Sequence, residues 1–289
     1  MITIIGASCV DIICQNVSKE VFETGHQFAD NIKFDFGGDG LNESVVLSRL
    51  NKQTEFITVL GDDIAGKYIY QHCIENFVRI IPTYRNKTYV STILVDKNGR
   101  RNLIGTRSGN IRELLPEDVK EIRGNIVCFA SMFIPLHMGR KEYEELFTRI
   151  KNENKILCAD TTTIKNNETI AEYKDVLNKL DYFFPNDIEA KMFTRAETVE
   201  EAADILFEAG VKNVIITVGD KGCYLKNKDY EQWIPTKKVE AIDSTGAGDS
   251  FVAGFIKCLD DGKDIIECCK FANECGGKAV QVIGATDWL

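Results

Sequence analysis

Long hydrophobic runs, clustered histidines and paired cysteine motifs are all missing from this chain of 289 residues. No run approaches the roughly 18 apolar residues of a membrane helix, so none is expected to span a bilayer. The opening Met1-Ile2-Thr3-Ile4-Ile5 lacks a basic flank and a small-residue cleavage site, and reads as a first strand rather than a leader. No C-x-x-C occurs, and His26, His72 and His137 are scattered, so zinc has no ligand spacing to use. The five prolines are dispersed, and there is no Pro/Ser-rich linker, low-complexity tract or internal repeat. Positive charge is in deficit. With Lys plus Arg at 35 and Asp plus Glu at 44, the net charge of −9 disfavours nucleic acid or an anionic membrane as partner, without excluding a local anion site.

Cysteine is plentiful. Ten cysteines in a long chain without a leader do not make a disulfide scaffold. They are expected to be reduced, small core residues of a cytoplasmic protein, and Cys268, Cys269 and Cys275 fall in a helical pattern without metal-ligand spacing. Hydrophobic residues at 44% and charged residues at 27% argue against disorder, and the length allows one large core with an appendage or two modest domains.

Strand-like and helix-like segments alternate. Strands are predicted over 1–8, 54–61, 125–133, 155–160, 182–186 and 211–219, and helices over 41–50, 64–77, 140–154 and 169–180. Thr198 and Glu201 form a capping box before Ala202, Ile205 and Leu206, and Gly210 ends that helix. Ile4-Ile5, Ile126-Val127 and Val214-Ile215-Ile216 are continuous apolar runs, as parallel strands buried on both faces require. The order predicts an α/β core with helices on both faces. Two stretches break the rhythm, 12–36 and 87–107. In the second, Asp96-Lys97-Asn98-Gly99 lies between β-prone runs and predicts a hairpin, an antiparallel insertion able to act as a lid.

The most informative string is Asp243-Ser244-Thr245-Gly246-Ala247-Gly248-Asp249. It opens a helix whose apolar face is Phe251, Val252, Phe255, Ile256 and Leu259. Glycines that let backbone approach a ligand, set at a helix N-terminus with about half a positive charge, make an anion hole for a transferring phosphoryl group. Asp249 in the first turn is placed to take a proton from an attacking hydroxyl. The plainer reading is an ordinary helix start with an acid favoured by the dipole. Gly61-Asp62-Asp63-Ile64-Ala65-Gly66-Lys67-Tyr68 nearly matches a P-loop, but its two carboxylates repel phosphate and Tyr68 replaces the magnesium-binding hydroxyl. It reads as a strand-to-helix connection. Gly6 to Asp11 lacks the later glycines of a dinucleotide fingerprint.

Residues 243–249 resemble the D-[ST]-x-G-A-G-D string of the ribokinase-like (PfkB) carbohydrate kinases. Other segments match in that family's order. Asp11, after the first strand, resembles the acid that binds sugar hydroxyls. Gly37-Gly38-Asp39-Gly40-Leu41-Asn42 resembles the sugar-binding G-G-x-x-x-N turn, and Asn186-Asp187-Ile188-Glu189 the N-x-x-E motif that supports magnesium and phosphate. Thr217-Val218-Gly219-Asp220-Lys221-Gly222 resembles the nucleotide-contacting T-x-G-x-x-G, and Asn273 to Gly284-Ala285 the adenine-side helix and loop. Singly, each has a plainer reading: a strand end at Asp11, a turn at Gly37-Gly38, a helix cap at Asn186, a strand running into a turn at Thr217.

The resemblance implies one ribokinase-like domain over 1–289, three layers around a mostly parallel sheet, with a discontinuous β lid from about 12–36 and 87–108. It implies transfer of the γ-phosphate of ATP to a primary hydroxyl of a sugar or sugar derivative. The sugar would lie against Asp11, Gly37, Gly38, Asp39 and Asn42, and ATP against Asn186, Thr217, Gly219, Gly222 and Asn273. Asp249 would act as base, with Gly246, Ala247 and Gly248 as anion hole. Glu189 would support Mg through water, and Asp243 and Thr245 a monovalent cation such as K. First-turn placement is expected to keep Asp249 ionised at neutral pH. Lids in relatives often pair between subunits, which implies a homodimer, and exposed strand edges give a physical reason. Departures are the compact run 76–87, and Asp39 and Gly40 where many relatives carry small or basic residues. Asp39 would meet a cationic or polyhydroxyl substrate, or face water. Cys9-Val10-Asp11-Ile12 and the end around 278–285 resemble the fructosamine kinases. A nucleoside kinase is the alternative, with Phe28, Phe34 and Phe36 as lid aromatics. A non-catalytic sugar sensor is the third reading, and the retention of Asp249, Gly246 and Gly248 speaks against it.

Overall fold

The computed structural model describes residues 1–106, 109–110, 113–162, 164 and 167–289. The elements run β1 (Ile2–Ile5), β2 (Cys9–Gln15), α1 (Glu20–Thr24), β3 (Asn31–Gly37), α2 (Asp39–Arg49), β4 (Thr54–Leu60), α3 (Ile64–Glu75), β5 (Arg79–Tyr84), β6 (Val90–Val95) and β7 (Arg101–Gly105). They continue with β8 (Ile126–Met132), α4 (Arg140–Asn152), β9 (Ile156–Thr161), α5 (Ile170–Leu177), β10 (Tyr182–Phe184), α6 (Asp187–Thr194), α7 (Val199–Glu208), β11 (Val214–Thr217), β12 (Cys223–Lys226), β13 (Glu231–Ile234), α8 (Ala247–Asp260) and α9 (Ile265–Ala279).

The large sheet has the order β13-β12-β11-β10-β9-β8-β1-β4-β5. It is parallel from β11 to β5, and β12 and β13 extend it antiparallel. The continuous apolar runs occupy its centre, as burial on both faces demands. Alternate residues feed two cores. Ile5, Val127 and Phe129 pack with α4, α5, α6 and α7 on one face, while Ile2, Ile4, Ile126 and Cys128 pack with α2, α3, α8 and α9 on the other. This is the expected three-layer α/β arrangement. Nine of the ten cysteines are buried, Cys14 is half-buried, and all are free thiols, as the small-core-residue reading requires. Among the described residues, no helix is long and apolar enough to cross a membrane.

The two rhythm-breaking stretches combine into one small sheet, β3-β2-β6-β7. Its bounds differ from those expected. β2 already begins at Cys9 and β3 runs to Gly37, so Asp11 is itself a lid residue, while Arg107 and Ser108 lie outside the described residues. The hairpin turn at Asp96 to Gly99 is present, closed by the Gly99 amide donating to the Asp96 carbonyl at 3.0 Å. Residues Asp11, Asp35, Ser91 and Arg101 share the inward face of this sheet, because side chains alternate along paired strands. Ile12, Ile32, Phe34 and Ile104 share the outward face.

Helix starts follow local chemistry. Thr198 Oγ1 accepts from the Glu201 amide at 3.1 Å, but the Glu201 carboxylate accepts from Glu197 rather than closing the box on Thr198. The P-loop-like segment is a strand-to-helix connection. Asp63 caps α3 by accepting from the Gly66 amide, and its other oxygen accepts from the Thr88 amide, both at 2.8 Å.

Candidate active site

In an open parallel sheet, ligands meet the chain where strands end. Here Asp160 lies near the end of β9, Asn186 follows β10, and Thr217 closes β11. The N-termini of α2 and α8 converge on the same edge. A cavity of about 220 Å³ forms there, lined by Asp39, Asp160, Asn186, Glu189, Thr217 and Asp249 among others. A second cavity, of about 320 Å³, is lined by Gly219, Gly222, Ala247, Phe251 and Asn273 among others. The two share Thr217 and Gly248, so they adjoin at the start of α8.

The backbone at α8 needs glycine. Gly246 sits in the left-handed region at φ +72°, and a Cβ there would lie 2.6 Å from Ala285 Cα. A Cβ on Gly248 would meet no protein atom within 4 Å, because that residue opens onto both cavities. Before the helix, Asp243 accepts from the Thr245 amide at 3.0 Å and hydroxyl at 2.6 Å, and from the Gly284 amide at 3.3 Å. Burial alone would raise the Asp243 carboxyl, but these donors and Arg101 hold it below the usual carboxylate range. Arg101 reaches from the lid to Asp243 at 3.1 Å and also donates to the Thr245 hydroxyl. The pair assigned to a monovalent cation is thus gripped by a guanidinium.

Asp249 is buried, and Asn42 Nδ2 donates to its Oδ2 at 2.7 Å. Asn42, read from the sequence as a sugar ligand, is therefore tied to Asp249. Burial, reinforced by the negative charge of Asp39, pushes the Asp249 carboxyl up to about 8. This corrects the expectation of an acid ionised at neutral pH. A helix terminus contributes at most about 2 kcal/mol, whereas a carboxylate stripped of water loses several.

Asn186 both caps α6 and lines the cavity. Its Oδ1 accepts from the Glu189 amide at 2.9 Å while Glu189 Oε2 accepts from the Asn186 amide at 3.0 Å, a closed capping box. Burial, with Asp39 nearby, raises the Glu189 carboxyl to about 7 against these bonds. Asp39 accepts from Ser131 and lines the same cavity, not the inward lid face that carries Asp11. Asp11 accepts from the Ser91 hydroxyl at 2.5 Å, and burial raises its carboxyl. Gly38, at φ +96°, makes the turn from β3 into α2, where a Cβ would lie 2.6 Å from the Ala7 carbonyl oxygen. Gly37 ends β3 opposite Cys9. Buried Asn273 donates to the Ile234 carbonyl at 3.0 Å.

Two residues at this edge escape the sequence reading. Asp160 is the polar break at the end of Ile156-Leu157-Cys158-Ala159, a signal that was there to be used. Arg101 reaches Asp243 only through a contact long in sequence and carries no local signal. The lid aromatics Phe34 and Phe36 alternate onto the face opposite Asp11, and Phe36 stacks on His72 with ring centres 3.7 Å apart.

Comparison with known proteins matches residues 1–289 to the family described as pfkB family carbohydrate kinase. A ribokinase of Staphylococcus aureus (strain COL) is 28% identical over 264 residues, spanning 86% of this chain and 83% of the relative. A 1-phosphofructokinase of Borreliella burgdorferi is 29% identical over 272 residues, spanning 90% and 85%. The crystal structure of a ribokinase from Thermotoga maritima superposes with a TM-score of 0.80 at 28% identity, over 100% of this chain and 95% of that one. The chain belongs to the pfkB family of carbohydrate kinases, ATP-dependent enzymes that phosphorylate sugar hydroxyls.

Proposed function

We propose that the protein transfers the γ-phosphoryl group of ATP to a primary hydroxyl of a sugar or sugar derivative. The observation that carries this reading is the adjoining pair of cavities at α8. The more apolar one suits a nucleotide base and ribose, and the carboxylate-lined one contains Asp249. Thr217, Gly219, Gly222 and Asn273 hold the nucleotide, and its phosphates run past Thr217 and Gly248 toward the anion hole of Gly246, Ala247 and Gly248. The sugar lies under the lid against Asp11 and the Gly37-Gly38 turn.

Asp249 orients the acceptor hydroxyl and takes its proton as the oxygen attacks the γ-phosphorus, the bond to the β-phosphate oxygen breaks, and ADP leaves. Its elevated proton affinity favours basicity, while the bond from Asn42 fixes its orientation. The carboxylates of the cavity, with no Lys or Arg among the described residues lining it, fit a Mg ion at Glu189 and Asn186. When bound with ATP, that ion supplies neutralising charge. A K ion at Asp243 and Thr245 would share its ligands with Arg101, and rates compared in K and Na buffers test it. The outward lid face carries exposed Ile32, Phe34 and Ile104 and suits a second copy of the chain.

The test is an ADP-release screen with Mg-ATP against hexoses, ketoses, fructosamines and nucleosides. The expected outcome is stimulation by a sugar or sugar derivative. Failure of every acceptor, in protein shown to be folded, refutes the reading.

A further inference from the structure

Arg101 joins the lid to the loop that opens α8. It lies on β7, an edge strand of the lid sheet, and shares the inward face with Asp11. Its Nη1 donates to Asp243 Oδ1 at 3.1 Å and to the Thr245 hydroxyl. That hydroxyl donates to the same Oδ1 at 2.6 Å, so the three groups close a triangle. The Thr245 amide also donates to Oδ1, and the Gly284 amide to Oδ2. The Asp243 carboxylate thus has donors on both oxygens and a full positive charge beside it.

The triangle stands directly before the anion hole. Gly246 follows Thr245 and approaches Ala285 so closely that a Cβ there would lie 2.6 Å from the Ala285 Cα. Asp243 holds Gly284 on one side of that contact, and Thr245 precedes Gly246 on the other. A shift of the 243–245 loop therefore moves the amides of Gly246, Ala247 and Gly248. The Arg101–Asp243 pair is 37% and 18% exposed at its side chains, so salt screens it less than a surface pair. Lys33, on the opposite edge strand β3, makes a second lid-to-core pair at 3.3 Å, but it is more exposed and reaches Asp287 rather than the loop. A monovalent cation at Asp243 and Thr245 would bring its charge to oxygens that already bond a guanidinium, and like charges so close repel. The guanidinium, in addition, delivers its charge through directed donors.

We propose that Arg101 is a positioning residue that does here what a monovalent cation would otherwise do. It neutralises Asp243, fixes the 243–245 loop and so keeps the anion hole in shape, which makes phosphoryl transfer independent of monovalent cations. The effect on rate rests on the kinase reading, whereas the ion pair does not.

The experiment compares the whole protein in KCl, NaCl and choline chloride of equal ionic strength, with two readouts. The first is the melting temperature without nucleotide or acceptor. Wild type should melt within about 1 °C in all three salts, and Arg101→Gln should melt lower in choline chloride and gain about 2 °C or more in KCl, as a cation takes the freed oxygens. The second is kcat with Mg-ATP and the acceptor found by the ADP-release screen. Wild-type kcat should agree within about twofold across the salts, while Arg101→Gln should lose at least about tenfold in choline chloride, with a smaller change in KM for ATP, and regain part of it in KCl. Lys33→Gln, which removes the other lid-to-core pair, should keep the wild-type response to each salt. Circular dichroism checks that Arg101→Gln is folded, and if it is not, the wild-type response to K decides. Two results overturn the proposal: KCl raising wild-type melting temperature or kcat beyond those limits, or Arg101→Gln matching wild type in choline chloride. The melts need no acceptor, so a failed screen refutes the kinase reading and leaves this test standing, and a K response in wild type refutes the role of Arg101 and leaves the kinase reading standing.

Discussion

Replacing Asp249 by Asn should make the protein more stable and nearly inactive. In an unfolded chain this carboxyl ionises near 3.8, whereas in the fold burial and Asp39 raise it to about 8. Stability from the protonated form is full below the unfolded value and lost as pH rises toward the folded one. At pH 7 the accumulated loss spans roughly three pH units at 1.36 kcal/mol each, about 4 kcal/mol. Asn carries no such penalty, but its amide weakens the bond from Asn42, which to a protonated carboxyl is worth about 1–1.5 kcal/mol. The net gain is roughly 2–3 kcal/mol at pH 7, or about 5–10 °C in melting temperature for a chain of this size. The gain should grow up to pH 8, because the unfolded carboxyl is ionised while the folded one holds its proton, and should vanish at about pH 5, below which the lost bond leaves the variant slightly less stable. Calorimetric melts of both proteins at pH 5, 6, 7 and 8, with EDTA and without nucleotide, measure it. Turnover should fall at least about 10²-fold in the same variant. A variant that melts at or below wild type by an amount constant across this range refutes the electrostatic reasoning. Near-normal turnover refutes the role of Asp249 as base.

Asn42→Ala removes a bond to the base and should lower kcat by about 10–100-fold with a smaller change in KM for the sugar; a rise in KM alone would mark Asn42 as a sugar contact instead. Glu189, raised to about 7, should bind Mg more tightly as pH climbs from 6 to 8. Glu189→Gln should raise the Mg concentration needed for half-maximal rate and flatten that dependence, and Mg titrations at each pH check both. Phe34→Asp on the exposed lid face should convert a dimer to a monomer in light scattering, with wild type already monomeric at micromolar concentration as the refuting result.

Local rules made much of this protein legible. Continuous apolar runs identify the central parallel strands, because a strand covered on both faces has no polar side to show. Asn98-Gly99 identifies the lid hairpin, and the glycine-acid string identifies the start of α8, where positive φ at Gly246 allows no side chain. The P-loop-like segment could be set aside on its two carboxylates and on Tyr68 in place of a hydroxyl residue, and Asp63 does cap its helix. What failed were readings that depend on the environment of a side chain rather than its neighbours in sequence. First-turn placement says that Asp249 should ionise, yet ionisation follows the water and charge around the group, and these come from α2 and β9. That the amide of Asn42, read from the sequence as a sugar ligand, also donates to Asp249 shows only where α2 packs on α8. Asp160 and Arg101 come from distant segments and gain meaning only where the chain brings them to the same edge. The sequence by itself determined the layered α/β core and the motif-bearing loops, because periodicity, glycine geometry and helix capping act over a few residues. Only the tertiary structure decided which carboxyls crowd together, which of them hold protons, and which lid residues face the site, because Coulomb interactions and desolvation depend on distance in space.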